Sequence, residues 1–186
     1  MLSTSKYVTH KVPADGSCFF HAVVMGMYYN RYKCFPGKSM LKTLSQMLRH
    51  IVVDHIMLGV KQNPSNANFL LTSDDTKSIR QYERDMRKSC TWAGQIEVMT
   101  TSKLIGGGVV VYHDQSPTKF TKIPHMGSKH GKIHLLLQGV HARGGLGTHF
   151  ELILPKTVKK PVKQCSEKVI SLIDEIRNVS VPIKRT

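Results

Sequence analysis

Acidic side chains are scarce in this sequence. Twelve Asp and Glu face 27 Lys and Arg in 186 residues, a formal net charge of +15 with His neutral. The imbalance is not the work of one tail. Residues 156–186 hold eight basic and three acidic residues, so the body before them is itself basic, and its surface attracts polyanions whatever the fold. Long apolar runs are missing as well. The richest, Phe19 to Met27, is broken by His21 and Gly26, far short of the roughly 18 residues that cross a bilayer, so no membrane span is expected. Cysteine is sparse: Cys18, Cys34, Cys90 and Cys165 form no CxxC pair, which argues against a disulfide framework and a structural zinc, and all four are expected as free thiols. Residues 1–13 lack the apolar core of a secretory signal, so the expected setting is cytoplasmic. Fourteen Gly and eight Pro are too few for a collagenous or low-complexity chain.

What is present is a globular pattern of helices followed by strands. Cys18 to Tyr29 is apolar nearly all round and predicts a buried helix. Met40 to Met57 carries Leu44, Met47, Leu48, Ile51, Val52, His55 and Ile56 on one face, behind Ser39 as a candidate cap. A more polar helix over 73–88 packs through Ile79, Tyr82 and Met86. Another over Gln95–Leu104 is stopped by Gly106-Gly107-Gly108. Strands then follow at Val109–Tyr112, Ile133–Leu137 and His149–Leu154. The class is α+β, with helices on a small, mostly antiparallel sheet. The Lys- and Pro-containing stretch from Lys156 to Lys163 divides a body, 1–155, from an appendage, 156–186. Val169, Leu172, Ile173 and Ile176 in that appendage predict a short amphipathic helix.

Two segments could carry chemistry. In Asp15-Gly16-Ser17-Cys18 a polar turn delivers a thiol to the first turn of an apolar helix, where orphan N–H groups and the positive dipole end stabilise an anion and can lower a thiol pKa. The plain alternative is a structural cysteine behind an ordinary Asp or Ser cap. A thiol hydrolase also needs a histidine, distant in sequence but near in space. His149 heads the last strand, and Glu151, two residues on, points the same way and can orient the imidazole, while Phe150 and Leu152 face the opposite layer. The alternative there is a solvated His and Glu on a strand face. His130 and His134 are spaced HxxxH across a loop without a third ligand, so no metal site is expected and both read as solvent-facing. His21, on the apolar helix, reads as a satisfied core or rim histidine. Trp92 reads either as a core plug or as an aromatic wall beside a cleft.

Three segments in this order, Asp15-Gly-Ser-Cys-Phe-Phe-His-Ala22, Trp92-Ala-Gly-Gln-Ile-Glu-Val98 with Val109-Val-Val-Tyr112, and Thr148-His-Phe-Glu-Leu152, resemble the ovarian-tumour (OTU) family of papain-like cysteine proteases. That family removes ubiquitin or ubiquitin-like proteins. The resemblance covers residues 8–155 and looks most like the OTU domains of large viral polymerase proteins. It implies a papain-like OTU fold with Cys18 as nucleophile, His149 as general base and Asp15 as the turn residue beside the oxyanion hole. Glu151 stands where relatives usually place Asp or Asn, one methylene longer. Ala93 intervenes between Trp92 and Gly94, where the family pattern has Gly directly after Trp.

The chemistry implied is hydrolysis of an isopeptide bond. The Cys18 thiolate attacks the carbonyl of a C-terminal glycine joined to lysine, and amides of Asp15, Gly16, Ser17 and Cys18 hold the oxyanion. No cofactor is required, and Trp92 and Phe150 are candidate walls of a channel narrow enough for a Gly-Gly tail. Three other readings compete: a protease that processes its own polyprotein with the same two residues, a basic RNA-associated module held by loose phosphate contacts, and a catalytically silent ubiquitin binder.

Overall fold

The structure is a computed structural model that describes residues 2–73, 78–106, 108–116, 119–127, 132–139 and 149–156. The appendage 156–186, with its expected helix, lies outside the described residues except for Lys156. So does His130.

Five α-helices and six strands make the described body. β1 (Leu2–Ser3) and β2 (Tyr7–His10) come first, then α1 (Cys18–Tyr32), α2 (Lys38–Gln62), α3 (Ala67–Ser73), α4 (Ile79–Met86) and α5 (Gln95–Leu104). β3 (Val109–Ser116), β4 (Lys119–Gly127), β5 (Ile133–Gln138) and β6 (His149–Pro155) complete one six-stranded sheet in the order β1-β4-β3-β5-β6-β2. Every pairing is antiparallel except β3 with β5. The α+β class and the mostly antiparallel sheet therefore stand.

α1 is buried because its apolar residues leave no polar stripe for water: Phe19, Phe20, Ala22, Val23, Val24 and Tyr28 are all inside. Each of the Phe and Val side chains contributes roughly 1.5–3 kcal/mol on burial. The helix sits on the face of β3, β5 and β6 formed by Val109, Val111, Ile133, Leu135, Leu137, Phe150, Leu152 and Leu154. Contact is closest at Gly26, where an added Cβ would come within 2.7 Å of the Ile133 side chain. The other face carries a smaller cluster of Val110, Tyr112, Phe120, Leu136 and Ile153. The effect is to hold the first residue of α1 beside the first residues of β6.

Several boundaries differ from the sequence expectation. α2 begins behind Gly37 with no side-chain cap, and Ser39 lies inside it. The polar helix is α4, shorter than 73–88, and it is capped by Ser78 Oγ accepting from the Gln81 amide at 3.2 Å. His134 is not solvent-facing: it is part-buried on β5, with the Tyr112 hydroxyl 3.2 Å from its Nδ1. Cys18 and Cys90 are free thiols, but Cys34 is disulfide-bonded, so the expectation of four free thiols fails there; Cys165 lies outside the described residues. Among the described residues no helix is long and apolar enough to cross a membrane, and no group of three or more His, Cys, Asp or Glu could hold a metal ion.

Candidate active site

The turn before α1 is built by its own side chains. Asp15 Oδ1 accepts from the Ser17 amide at 2.8 Å, and the Asp15 carbonyl accepts from the Cys18 amide at 3.1 Å. Such Asx turns are a natural use of Asp before a helix. Gly16 is needed because the neighbouring chain presses on it: an added Cβ would stand 2.1 Å from the carbonyl carbon of Cys90. Ser17 occupies the N-cap position without capping. Its hydroxyl instead donates to the Ser89 carbonyl at 2.9 Å and accepts from Arg49 at 3.1 Å. His21 is the satisfied core histidine expected, with Nδ1 2.7 Å from Ser45 Oγ and Nε2 3.3 Å from Asp15 Oδ2.

Cys18 is only 5% exposed. Burial pushes its thiol up from the ordinary value, hydrogen bonding from the backbone of Phe150 and Phe19 pulls the other way, and the Asp15 carboxylate pushes it further up. The expected lowering at a helix N-terminus is thus opposed by desolvation.

β6 alternates as its sequence requires. Phe150 turns into the core, where its ring meets Phe19 edge-on at 5.2 Å. At 5% exposure it is a strut under the site and not the channel wall expected of it. Glu151 lies beside Leu136 across the ladder, and His149 beside Gln138. Strand alternation puts His149 and Glu151 on one side, with Glu151 4% exposed and His149 part-buried. No hydrogen bond joins Cys18 to His149, or His149 to Glu151, among the described residues. Trp92 is 55% exposed in the loop between α4 and α5, so it is no core plug and its ring is open to a ligand.

One residue that periodicity should have exposed is Arg49. It is fully buried although charged, on the inner stripe of α2 with Ser45, Val52 and Ile56. Its guanidinium donates to the carbonyls of Gly16 (2.7 Å), Met86 (3.0 Å), Thr91 (2.8 Å) and Ser89 (3.4 Å), and it stacks 4.5 Å over the Phe20 ring. Glu97 is the second buried charge. It accepts from the Tyr82 hydroxyl and, at 2.7 Å, from the Gly94 amide, which closes the Trp92 loop onto α5. A charged residue on an apolar helix stripe is the signal that marks both.

The family model for OTU-like cysteine proteases matches residues 13–150, the stretch that runs from the Asp15 turn to the head of β6. The chain belongs to this family. OVARIAN TUMOR DOMAIN-containing deubiquitinating enzyme 4 of Arabidopsis thaliana is 28% identical over 133 residues, 69% of this chain and 39% of that protein. The chain thus spans about two fifths of the length of that relative. Among solved structures, an OTU deubiquitinase from Wolbachia pipientis wMel aligns with a TM-score of 0.55 at 13% identity, covering 91% of this chain and 96% of that one. The Hazara virus OTU bound to ubiquitin aligns with a TM-score of 0.51 at 19% identity, covering 83% and 86%. The OTU fold is common to all three.

Proposed function

We propose that this chain is a thiol hydrolase that releases ubiquitin or a ubiquitin-like modifier from lysine, with Cys18 as nucleophile, His149 as base and Glu151 as its orienting partner. The observation that supports the reading is the edge-on contact of the Phe19 and Phe150 rings at 5.2 Å, because these residues follow Cys18 and His149 directly in the chain and so pack the start of α1 against the start of β6. Family membership supports the reaction type, and the Hazara virus domain bound to ubiquitin supports the class of partner.

His149 takes the thiol proton as the sulfur attacks. The C–S bond forms at the carbonyl of the C-terminal glycine, and its oxygen gains the charge. Asp15 and Gly16 supply the amides for that oxyanion, since those of Ser17 and Cys18 already donate to Asp15. His149 returns the proton to the lysine amine as the C–N bond breaks. Water, deprotonated by His149, then cleaves the thioester and restores the thiol. Exposed Trp92 flanks the entering tail. A cytoplasmic setting, a place in a viral protein and loose nucleic-acid contact through the +15 surface complete the proposal.

The test is ubiquitin bearing a C-terminal electrophile. A covalent adduct on the wild-type chain, lost in Cys18→Ala, is the expected result. An adduct that survives Cys18→Ala, or a wild-type chain that never reacts, would overturn the assignment.

A further inference from the structure

We infer that Arg49 is a positioning residue for the oxyanion turn, holding the peptide planes before Cys18 in the orientation that aims the Gly16 amide at the reacting carbonyl. The inference rests on the proposed function.

The peptide unit between Gly16 and Ser17 is gripped at both ends. Its carbonyl accepts from Arg49 Nη2 at 2.7 Å, and its N–H donates to Asp15 Oδ1 at 2.8 Å. The preceding unit, between Asp15 and Gly16, has its carbonyl taken by the Cys18 amide at 3.1 Å. With both planes fixed, the Gly16 N–H of that preceding unit has one direction left to it. Glycine is otherwise the residue most able to let a peptide rotate, so the turn needs an external brace. Arg49 supplies that brace, and Ser17 Oγ, which accepts from Arg49 and donates to Ser89, extends it.

The same guanidinium holds the opposite wall. Nη1 donates to the Met86 and Thr91 carbonyls, so the segment carrying Cys90 and Trp92 is tied to the turn through one side chain. The Cys90 backbone lies close enough to Gly16 to exclude a Cβ there, which keeps the two walls in register. A planar donor fork satisfies several carbonyls at once in a way that an ammonium on the same stem does not. Burying that charge is costly, and the Glu97 and Asp15 carboxylates are the charges that offset its desolvation. A purely structural need would be met at lower cost by an apolar residue of similar volume.

Hydrolysis of ubiquitin carrying a C-terminal fluorophore amide tests this in the full chain, with Arg49→Met and Arg49→Lys. Misplacing an oxyanion donor by an ångström costs about 10²-fold. Arg49→Met should therefore lower kcat about 10²-fold, Arg49→Lys should recover part of it, and KM should stay within about threefold. Alkylation of Cys18 by iodoacetamide, read in a Cys90→Ser background, needs the thiol but no oxyanion site, and should change by no more than about twofold. Unchanged kcat in both variants overturns the inference. So does a kcat loss matched by equal losses in alkylation rate or folded fraction by circular dichroism, including failure of both variants to fold, because Arg49 then acts on stability alone. A wild-type chain that reacts with the ubiquitin electrophile while the Arg49 variants keep kcat sinks this inference only; an inert wild-type chain sinks the proposed function with it.

Discussion

The two halves of the candidate site are held in contrasting ways. At the nucleophile, Asp15, Gly16, Ser17 and Cys18 are fixed by Arg49, by Ser89 and by the press of the Cys90 backbone. On the side of the proposed base, His149 lies opposite Gln138 in the strand ladder, and among the described residues it has no hydrogen bond to Cys18 or Glu151. The difference follows from the tasks. A turn that must present amides to a developing charge works best when it is already rigid, because its dipoles then need not reorganise during the reaction. An imidazole that collects a proton from sulfur and delivers it to nitrogen has to serve two atoms in succession.

The largest blow to the comparison should come from the side of His149. His149→Ala removes the proposed proton carrier, so hydrolysis of a ubiquitin amide should fall by about 10²–10⁴, while ubiquitin binding and the thermal midpoint stay near wild type. The same variant sharpens the electrostatic reading. Cys18 has a raised pKa from burial, so its thiolate fraction keeps growing with pH beyond the ordinary thiol value of about 8.5. Iodoacetamide alkylation followed from pH 6 to 10 should climb throughout that range, in wild type and in His149→Ala alike. A plateau near neutral pH that disappears with His149 would mean a preformed ion pair and refute the upward shift of the thiol.

Next in size is a change on the braced side. Gly16→Ala places a methyl where the Cys90 carbonyl carbon is 2.1 Å away, and that neighbour is backbone, so the turn must shift. Overpacking of this kind costs about 1–3 kcal/mol of stability. The shift should also lower kcat about 10²-fold with little change in KM. Thermal melts beside steady-state kinetics check both, and a variant with wild-type kcat would show that the turn tolerates movement.

How legible this was in the sequence depended on whether local pattern or distant pairing decides an element. α1, α5, β3, β5 and β6 were readable because their apolar runs are buried by the element's own periodicity. β1, β2 and β4 were not. β4 reads Lys-Phe-Thr-Lys-Ile-Pro-His-Met-Gly, and Pro124 argues against a strand; it forms because β3 and β1 lie alongside it. Cys18 and His149 were nominated by residue type and context, and the elements they begin, α1 and β6, pack together through Phe19 and Phe150. Arg49 was passed over because it is charged, although it falls on the stripe with Leu48 and Val52. Phe150 was misassigned because an aromatic beside a candidate base suggested a wall, whereas alternation along β6 turns it inward.

A smaller effect separates Glu151 from its neighbour. Its carboxylate is buried on the same side of β6 as His149, and in the proposed mechanism it acts only through the imidazole. Removing such an orienting partner costs about 10–100-fold. Glu151→Gln keeps the length and a hydrogen-bonding oxygen, so it should lose about tenfold in kcat, and Glu151→Ala more, with both retaining Cys18 labelling by the ubiquitin electrophile. Equal losses in Glu151→Ala and His149→Ala would mean that the carboxylate does more than orient.

The smallest expected change lies at Trp92, and it tests whether this ring serves the ligand or the fold. Its ring is more than half exposed, while the loop beneath is fixed without it, through Arg49 on the Thr91 carbonyl and Glu97 on the Gly94 amide. Trp92→Ala should therefore leave the thermal midpoint nearly unchanged, as surface substitutions usually stay within about 0.5 kcal/mol. If the ring packs on an incoming Gly-Gly tail, KM should rise several-fold, up to about tenfold, a binding loss of about 1.4 kcal/mol, with kcat affected least. A fall in kcat at constant KM would instead assign Trp92 to the chemistry, and a lowered midpoint with unchanged kinetics would return it to the fold.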